Sequence, residues 1–132
     1  MSADDDMSKV VIDTDVLIDL LRGRAAAQAL LLRVTGHAIP CCSVISVAEI
    51  HAGMHVQERA RTTALLDSLV LLDVTRSVAE LAGHFKQRER ARRLELADCL
   101  IAATAVTEAA ALATGNVRHY PMPELTLVPT RA

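Results

Sequence analysis

The chain has 132 residues, is 52% hydrophobic and carries a formal net charge of −2. Its length suits one domain, and its apolar fraction is enough for a buried core, which excludes an intrinsically disordered chain. The charge balance excludes a broadly basic nucleic-acid-binding surface, and one Tyr, one Phe and no Trp argue against reading bases by aromatic stacking.

Residues 1–8 contain Asp4, Asp5 and Asp6 but no apolar stretch. They lack the pattern of a signal peptide and are expected to form a mobile leader before a single domain over residues 9–132. Val10, Val11 and Ile12 form a β-branched run, which predicts a buried strand ending at Asp13. Thr14 or Asp15 can cap the next helix, whose apolar face is Val16, Leu17, Leu20 and Leu21, and Gly23 ends it. A second helix is predicted over 25–34, closed by Gly36. A strand over 38–42 follows, with Pro40 working against its regularity. Ser43 or Ser46 then caps a helix running through Glu49, Ile50 and Met54.

A helix over 58–69 and a strand over 70–74 come next. Thr75 or Ser77 opens a longer helix with the face Val78, Leu81, Ala82 and Phe85. Its far end holds Lys86, Arg88, Glu89, Arg90, Arg92 and Arg93, which reads first as a solvated helix end and second as a contact for phosphates or a partner. An alanine-rich helix over 96–109 and short strands over 110–114 and 125–128 complete the chain. Strands alternating with helices predict an α/β fold, a mainly parallel sheet flanked by helices on both faces. Charged residues interrupt every apolar run, so no membrane span is expected. Cys41, Cys42 and Cys99 lack zinc-knuckle or redox spacing, and their odd number fits buried thiols in a reducing, cytoplasmic setting.

Ligands of open parallel sheets sit beyond the carboxyl ends of the strands. The predicted strands place Asp13 and Asp15, then Ser43, Ser46 and Glu49, then Thr114 and Asn116 at such ends. Asp98 falls in the first turn of its helix among Ala97, Cys99, Leu100, Ile101 and Ala102, surroundings too apolar for a casual surface acid. Carboxylates sharing one cleft repel each other unless a cation joins them or a proton is shared. Oxygen-only ligands suit Mg²⁺ or Mn²⁺, and such a site can hydrolyse phosphate esters. Asp15 is either a supporting group for the ligands or an acid at a helix start. His51 and His55 stand one turn apart, a zinc-like spacing, but without a third His or a Cys nearby they read as an exposed helix face.

Four segments, in order, resemble PIN-domain ribonucleases. They are Val10-Val11-Ile12-Asp13-Thr14-Asp15, Ser43-Val44-Ile45-Ser46-Val47-Ala48-Glu49-Ile50 with Gly53, Leu96-Ala97-Asp98-Cys99-Leu100-Ile101-Ala102, and Thr114-Gly115-Asn116-Val117-Arg118-His119-Tyr120-Pro121. The third is the most specific match, and the nearest group is the VapC-type toxins of toxin–antitoxin pairs. The resemblance implies a Mg²⁺- or Mn²⁺-dependent endoribonuclease, usually a homodimer, silenced by a cognate antitoxin. Asp13, Glu49 and Asp98 would then be both the catalytic acids and the metal ligands. Arg118, beside Asn116 and close to the cleft, is the candidate phosphate contact, and Asn116 and Ser46 are expected at the substrate site more as orienting or capping groups than as direct ligands. The fourth segment departs from the family pattern, because neither Asn116 nor His119 is acidic. Asp13-Thr14-Asp15-Val16-Leu17 is also similar to the opening of haloacid-dehalogenase phosphatases, with Asp13 as nucleophile. That family needs a later lysine, and this chain has only Lys9 and Lys86. A catalytically inactive PIN-like binding module is the third reading.

Overall fold

Five short strands alternate with helices along residues 8–130, the part of the chain that the computed structural model describes. The strands are β1 (Ser8–Ile12), β2 (Ala38–Ser43), β3 (Val70–Leu72), β4 (Ala111–Thr114) and β5 (Leu127–Pro129). The helices are α1 (Thr14–Leu21), α2 (Ala25–Thr35), α3 (Val44–Gly53), α4 (Arg59–Asp67), α5 (Arg76–Arg88) and α6 (Leu96–Thr107). Of the expected leader, residues 1–7 lie outside the described residues, and Ser8 already belongs to β1.

The sheet runs β3-β2-β1-β4-β5, with every neighbouring pair parallel. Successive side chains of a strand point to opposite faces, and the two cores follow that alternation. Val11, Cys41 and Leu112 pack under α5 and α6 with Phe85, Ala102 and Ile101. Val10, Ile12, Cys42 and Ala113 pack against α1, α2 and α4 through Leu17, Leu30 and Leu66. The expected sheet with helices on both faces is therefore what the chain forms. Pro40 is accommodated because the β2–β3 ladder begins at Cys41, so no β3 partner is lost at the proline.

Boundaries differ where local hydrogen bonds outrank apolar pattern. α1 starts at Thr14, so neither Thr14 nor Asp15 caps it. Asp13 does, in an extended conformation, and its carboxylate accepts from Thr14 N. Ser43 caps α3, and Thr75 caps α5. α6 stops at Thr107, short of the expected 109, where Ala109 turns left-handed at φ 51°. Residues 56–58 form a 3-10 turn rather than the first turn of α4. Among the described residues, no helix is long and apolar enough to cross a membrane.

Candidate active site

Strand order reverses beside β1. The sheet grows from β1 through β2 to β3, and the chain then returns to β4 on the other side of β1. The carboxyl ends of β1 and β4 therefore open a crevice, the usual ligand position in such sheets. Asp13 follows β1 directly, and Thr114 ends β4.

Asp13 is only 5% exposed, and three donors satisfy it. Oδ1 accepts from Thr14 N at 2.8 Å and from the Tyr120 hydroxyl at 2.9 Å, while Oδ2 accepts from the Thr114 hydroxyl at 2.8 Å. Glu49 arrives from β2, because the Ser43 cap starts α3 at once and carries residue 49 back over α1. The Thr14 hydroxyl donates to Glu49 Oε1 at 2.7 Å. A hydroxyl has one proton, so the Ser46 hydroxyl, 2.8 Å from that of Thr14, must be the donor in their contact. A chain Ser46→Thr14→Glu49 thus fixes the glutamate. Ser46 is fully buried, so it supports the site from behind instead of standing at the substrate site as expected.

Asp98 is the third residue of α6, where the free N–H groups of the helix favour negative charge. Tyr120 Oη lies 3.4 Å from its Oδ1, and His119 Nδ1 lies 3.3 Å from its Oδ2. Burial raises the Asp98 pKa above the ordinary carboxylate value, and the Asp13 charge raises it further. Asp15 is pushed up to about 6, first by burial and then by Asp13. Its Oδ2 accepts from Gly115 N at 3.0 Å and Asn116 Nδ2 at 3.1 Å, which ties α1 to the loop after β4.

These groups line a cleft of about 430 Å³ that holds Asp13, Asp15, Glu49, Glu95, Asp98, Asn116 and His119. Five carboxylates thus face a single imidazole. The structure brings the expected acids to one cleft, but among the described residues no three acidic, His or Cys side chains close into a ready metal cage. Oxygen donors of this kind suit Mg²⁺, which is commonly held by one or two carboxylates with waters and substrate phosphates completing the shell. The raised Asp98 and Asp15 pKa values come first from burial and second from the neighbouring Asp13 charge, and a divalent cation would relieve only the second. Asp13, Asp98 and Glu49 are the side chains placed to hold one.

Arg118 is exposed on the one-turn helix Val117–His119, between two cleft residues, and takes part in no ion pair among the described residues. The basic run ending α5 is largely committed to its own surroundings. Arg88 grips Glu124 at 2.7 and 2.8 Å, Arg92 pairs with Glu89, and Lys86 donates to the Leu94 carbonyl. Lys9 meets Glu108, so neither lysine serves the cleft, and the phosphatase reading has no support for its chemistry. His51 and His55 are exposed and belong to no metal cluster among the described residues. Burial raises the pKa of Cys41, Cys42 and Cys99, which suits inert core thiols.

Sequence reasoning missed Tyr120, Glu95 and the hydroxyl of Thr14. Tyr120 offered a signal: it is the sole tyrosine, in an otherwise aromatic-poor chain, within the fourth motif.

A family model described as "PIN domain" matches residues 10–125. The chain is 40% identical over 115 residues to "Ribonuclease VapC10" of Mycobacterium tuberculosis, covering 86% of each protein. It superposes with a TM-score of 0.81 on VapBC2 of Rickettsia felis, solved bound to a promoter DNA fragment, at 19% identity over 92% of this chain and 98% of that one. A toxin–antitoxin complex from Klebsiella pneumoniae gives a TM-score of 0.77 at 26% identity, over 92% of this chain and 97% of that one.

Proposed function

The chain belongs to the PIN-domain family, and from that premise we propose that it is a Mg²⁺- or Mn²⁺-dependent endoribonuclease, the toxin of a toxin–antitoxin pair. The observation that carries this reading is the convergence of Asp13, Glu49 and Asp98, from residues far apart in sequence, on one crevice at the strand-order reversal. The resemblance to a named ribonuclease over most of its length supports RNA as the substrate.

In this reading Asp13, Glu49 and Asp98 hold the cation. When bound, it supplies positive charge that draws a phosphodiester into the acidic cleft, stabilises the charge developing there and makes an attacking water more acidic. The protein's own part is orientation. Three donors lock Asp13, the Ser46–Thr14 relay locks Glu49, and Tyr120 with His119 locks Asp98. Asn116, at the cleft wall, and Arg118, beside it, are placed to bind the phosphates flanking the scissile bond.

The likeness to toxin–antitoxin complexes supports a protein partner that covers the cleft. A guanidinium inserted among Asp13, Glu49 and Asp98 would pair with the carboxylates where the cation otherwise sits, silencing the enzyme. A homodimer in the cytoplasm completes the reading.

The test is cleavage of single-stranded RNA by the purified chain. Activity is expected with Mn²⁺ and lost with EDTA. Asp98→Asn and Glu49→Gln are expected to lower it on the order of 100-fold, since charge stabilisation by a metal is worth several kcal/mol. Cleavage that persists in EDTA, or that both variants leave intact, overturns the assignment.

A further inference from the structure

Tyr120 is 2% exposed, and its ring belongs to the core with Phe85, Leu94, Cys99 and Met122. Packing alone would be served as well by phenylalanine. The hydroxyl instead leaves the core and stands 2.9 Å from Asp13 Oδ1 and 3.4 Å from Asp98 Oδ1. Among the described residues it is the one side chain hydrogen-bonded to both carboxylates. The other oxygen of each acid is held separately: Thr114 donates to Asp13 Oδ2, and His119 contacts Asp98 Oδ2.

Resting on the metal-dependent reading above, we propose that Tyr120 is a positioning residue whose hydroxyl holds Asp13 and Asp98 at the spacing that captures the divalent cation. Asp13 follows β1 and Asp98 lies in the first turn of α6, and among the described residues no backbone hydrogen bond joins these segments at the cleft. Their carboxylates repel each other, so a common partner opposes their separation before a cation arrives. The phenol supplies that partner. Its single proton is shared, strongly with Asp13 Oδ1 at 2.9 Å and weakly with Asp98 Oδ1 at 3.4 Å, in a three-centre hydrogen bond. The turn that aims it is local, with Tyr120 N donating to the Val117 carbonyl at 3.1 Å and His119 N to that of Asn116 at 3.0 Å. This geometry also gives the fourth motif a use although it lacks an acid.

Tyr120→Phe keeps the ring and removes only the bridge. Groups that orient metal ligands typically contribute about 10- to 100-fold in affinity, so the variant is expected to bind Mn²⁺ that much more weakly by calorimetry or electron paramagnetic resonance. RNA cleavage should fall at limiting Mn²⁺ and return close to wild type at saturating Mn²⁺, a rescue that loss of a purely structural group would not show. Thermal melts establish that the variant folds. A Phe variant that fails to fold overturns the proposal, because the hydroxyl then serves the fold and not the cation. Affinity within about threefold of wild type overturns it too, as does lost activity that Mn²⁺ cannot restore. Wild-type protein that binds no Mn²⁺ sinks the metal-dependent reading along with it, whereas equal binding by both proteins sinks this proposal alone.

Discussion

Gly115→Ala tests the tie between Asp15 and the loop after β4. A Cβ at Gly115 would lie 2.7 Å from Asp15 Oδ2 and 3.1 Å from Thr130 Oγ1, and the first distance is too short to exist. The backbone raises no objection, since Gly23 is the one described glycine with positive φ. On the unfolded chain alone, Ala would therefore stabilise by about 0.4–1 kcal/mol. Against this, the displaced carboxylate loses its bonds from Gly115 N and Asn116 Nδ2, both exposed. Hydrogen bonds to charged groups contribute about 1.5–3 kcal/mol each, with exposed ones at or below the lower end. The net cost is about 2 kcal/mol, or roughly 7 °C in Tm for a domain this size. If the clash is the cause, removing its other half removes the cost. In an Asp15→Ala background, Gly115→Ala should be neutral or slightly stabilising, a coupling of about 2 kcal/mol. Urea unfolding of the four proteins at pH 7.5 without metal measures it. An equal cost in both backgrounds, or a cost below about 0.5 kcal/mol in wild type, refutes the reasoning.

Thr62 is 1% exposed, and its hydroxyl has no hydrogen-bond partner among the described residues. Thr62→Val keeps the shape and should raise stability by about 1–2 kcal/mol, because an orphaned buried hydroxyl costs about that much; an unchanged or lowered Tm would show that the hydroxyl has a partner. The pKa of Asp15 is raised from 3.8 to about 6, and that of Asp98 is also raised, so the native state holds the extra protons. The Asp15 contribution is complete below its unfolded value and is lost as pH rises through about 6, and Asp98 adds to it in the same direction. Metal-free protein should therefore melt higher at pH 5.5 than at 7.5. Saturating Mn²⁺ should reverse that order, since the cation needs ionised ligands, and scanning fluorimetry across pH reads both. Mn²⁺ at a hundred times its Kd should add about 2.7 kcal/mol, near 10 °C. Asp98→Asn should melt no lower than wild type without metal yet lose most of that gain, and a variant that keeps the shift removes Asp98 from the metal site.

What was legible in the sequence was what local pattern decides. Val10, Val11 and Ile12 are buried on both faces and read as a central parallel strand, and the residue just beyond such a strand lies at its carboxyl end by construction. Asp13 and Glu49 were therefore visible, and Asp98 stood out as an acid inside an apolar helix. The hidden features depend on contacts between distant segments. Thr14 meets Glu49 across 35 residues, and Tyr120 meets Asp13 across 107, and no local periodicity encodes either. Ser46 misled because a serine near a strand end can face the cleft or the core, and only the winding of α3 decides which. The arginines ending α5 looked available because Glu124, the partner of Arg88, lies 36 residues on.

Charge ties these pieces together. A chain with net charge −2 whose cleft gathers five carboxylates cannot attract a polyanion to that cleft unaided. Arg88 and Arg92 are already paired, and Arg118, between the cleft residues Asn116 and His119, takes part in no ion pair among the described residues. On the proposed function, a divalent cation would offset part of the carboxylate charge locally, next to the phosphate it binds. The proposed function therefore predicts an RNA affinity that depends on the metal more than on bulk basicity. A partner carrying an arginine can exploit the same field. Its guanidinium would pair with the carboxylates that the cation otherwise meets, and so exclude the cation and the phosphate it would recruit.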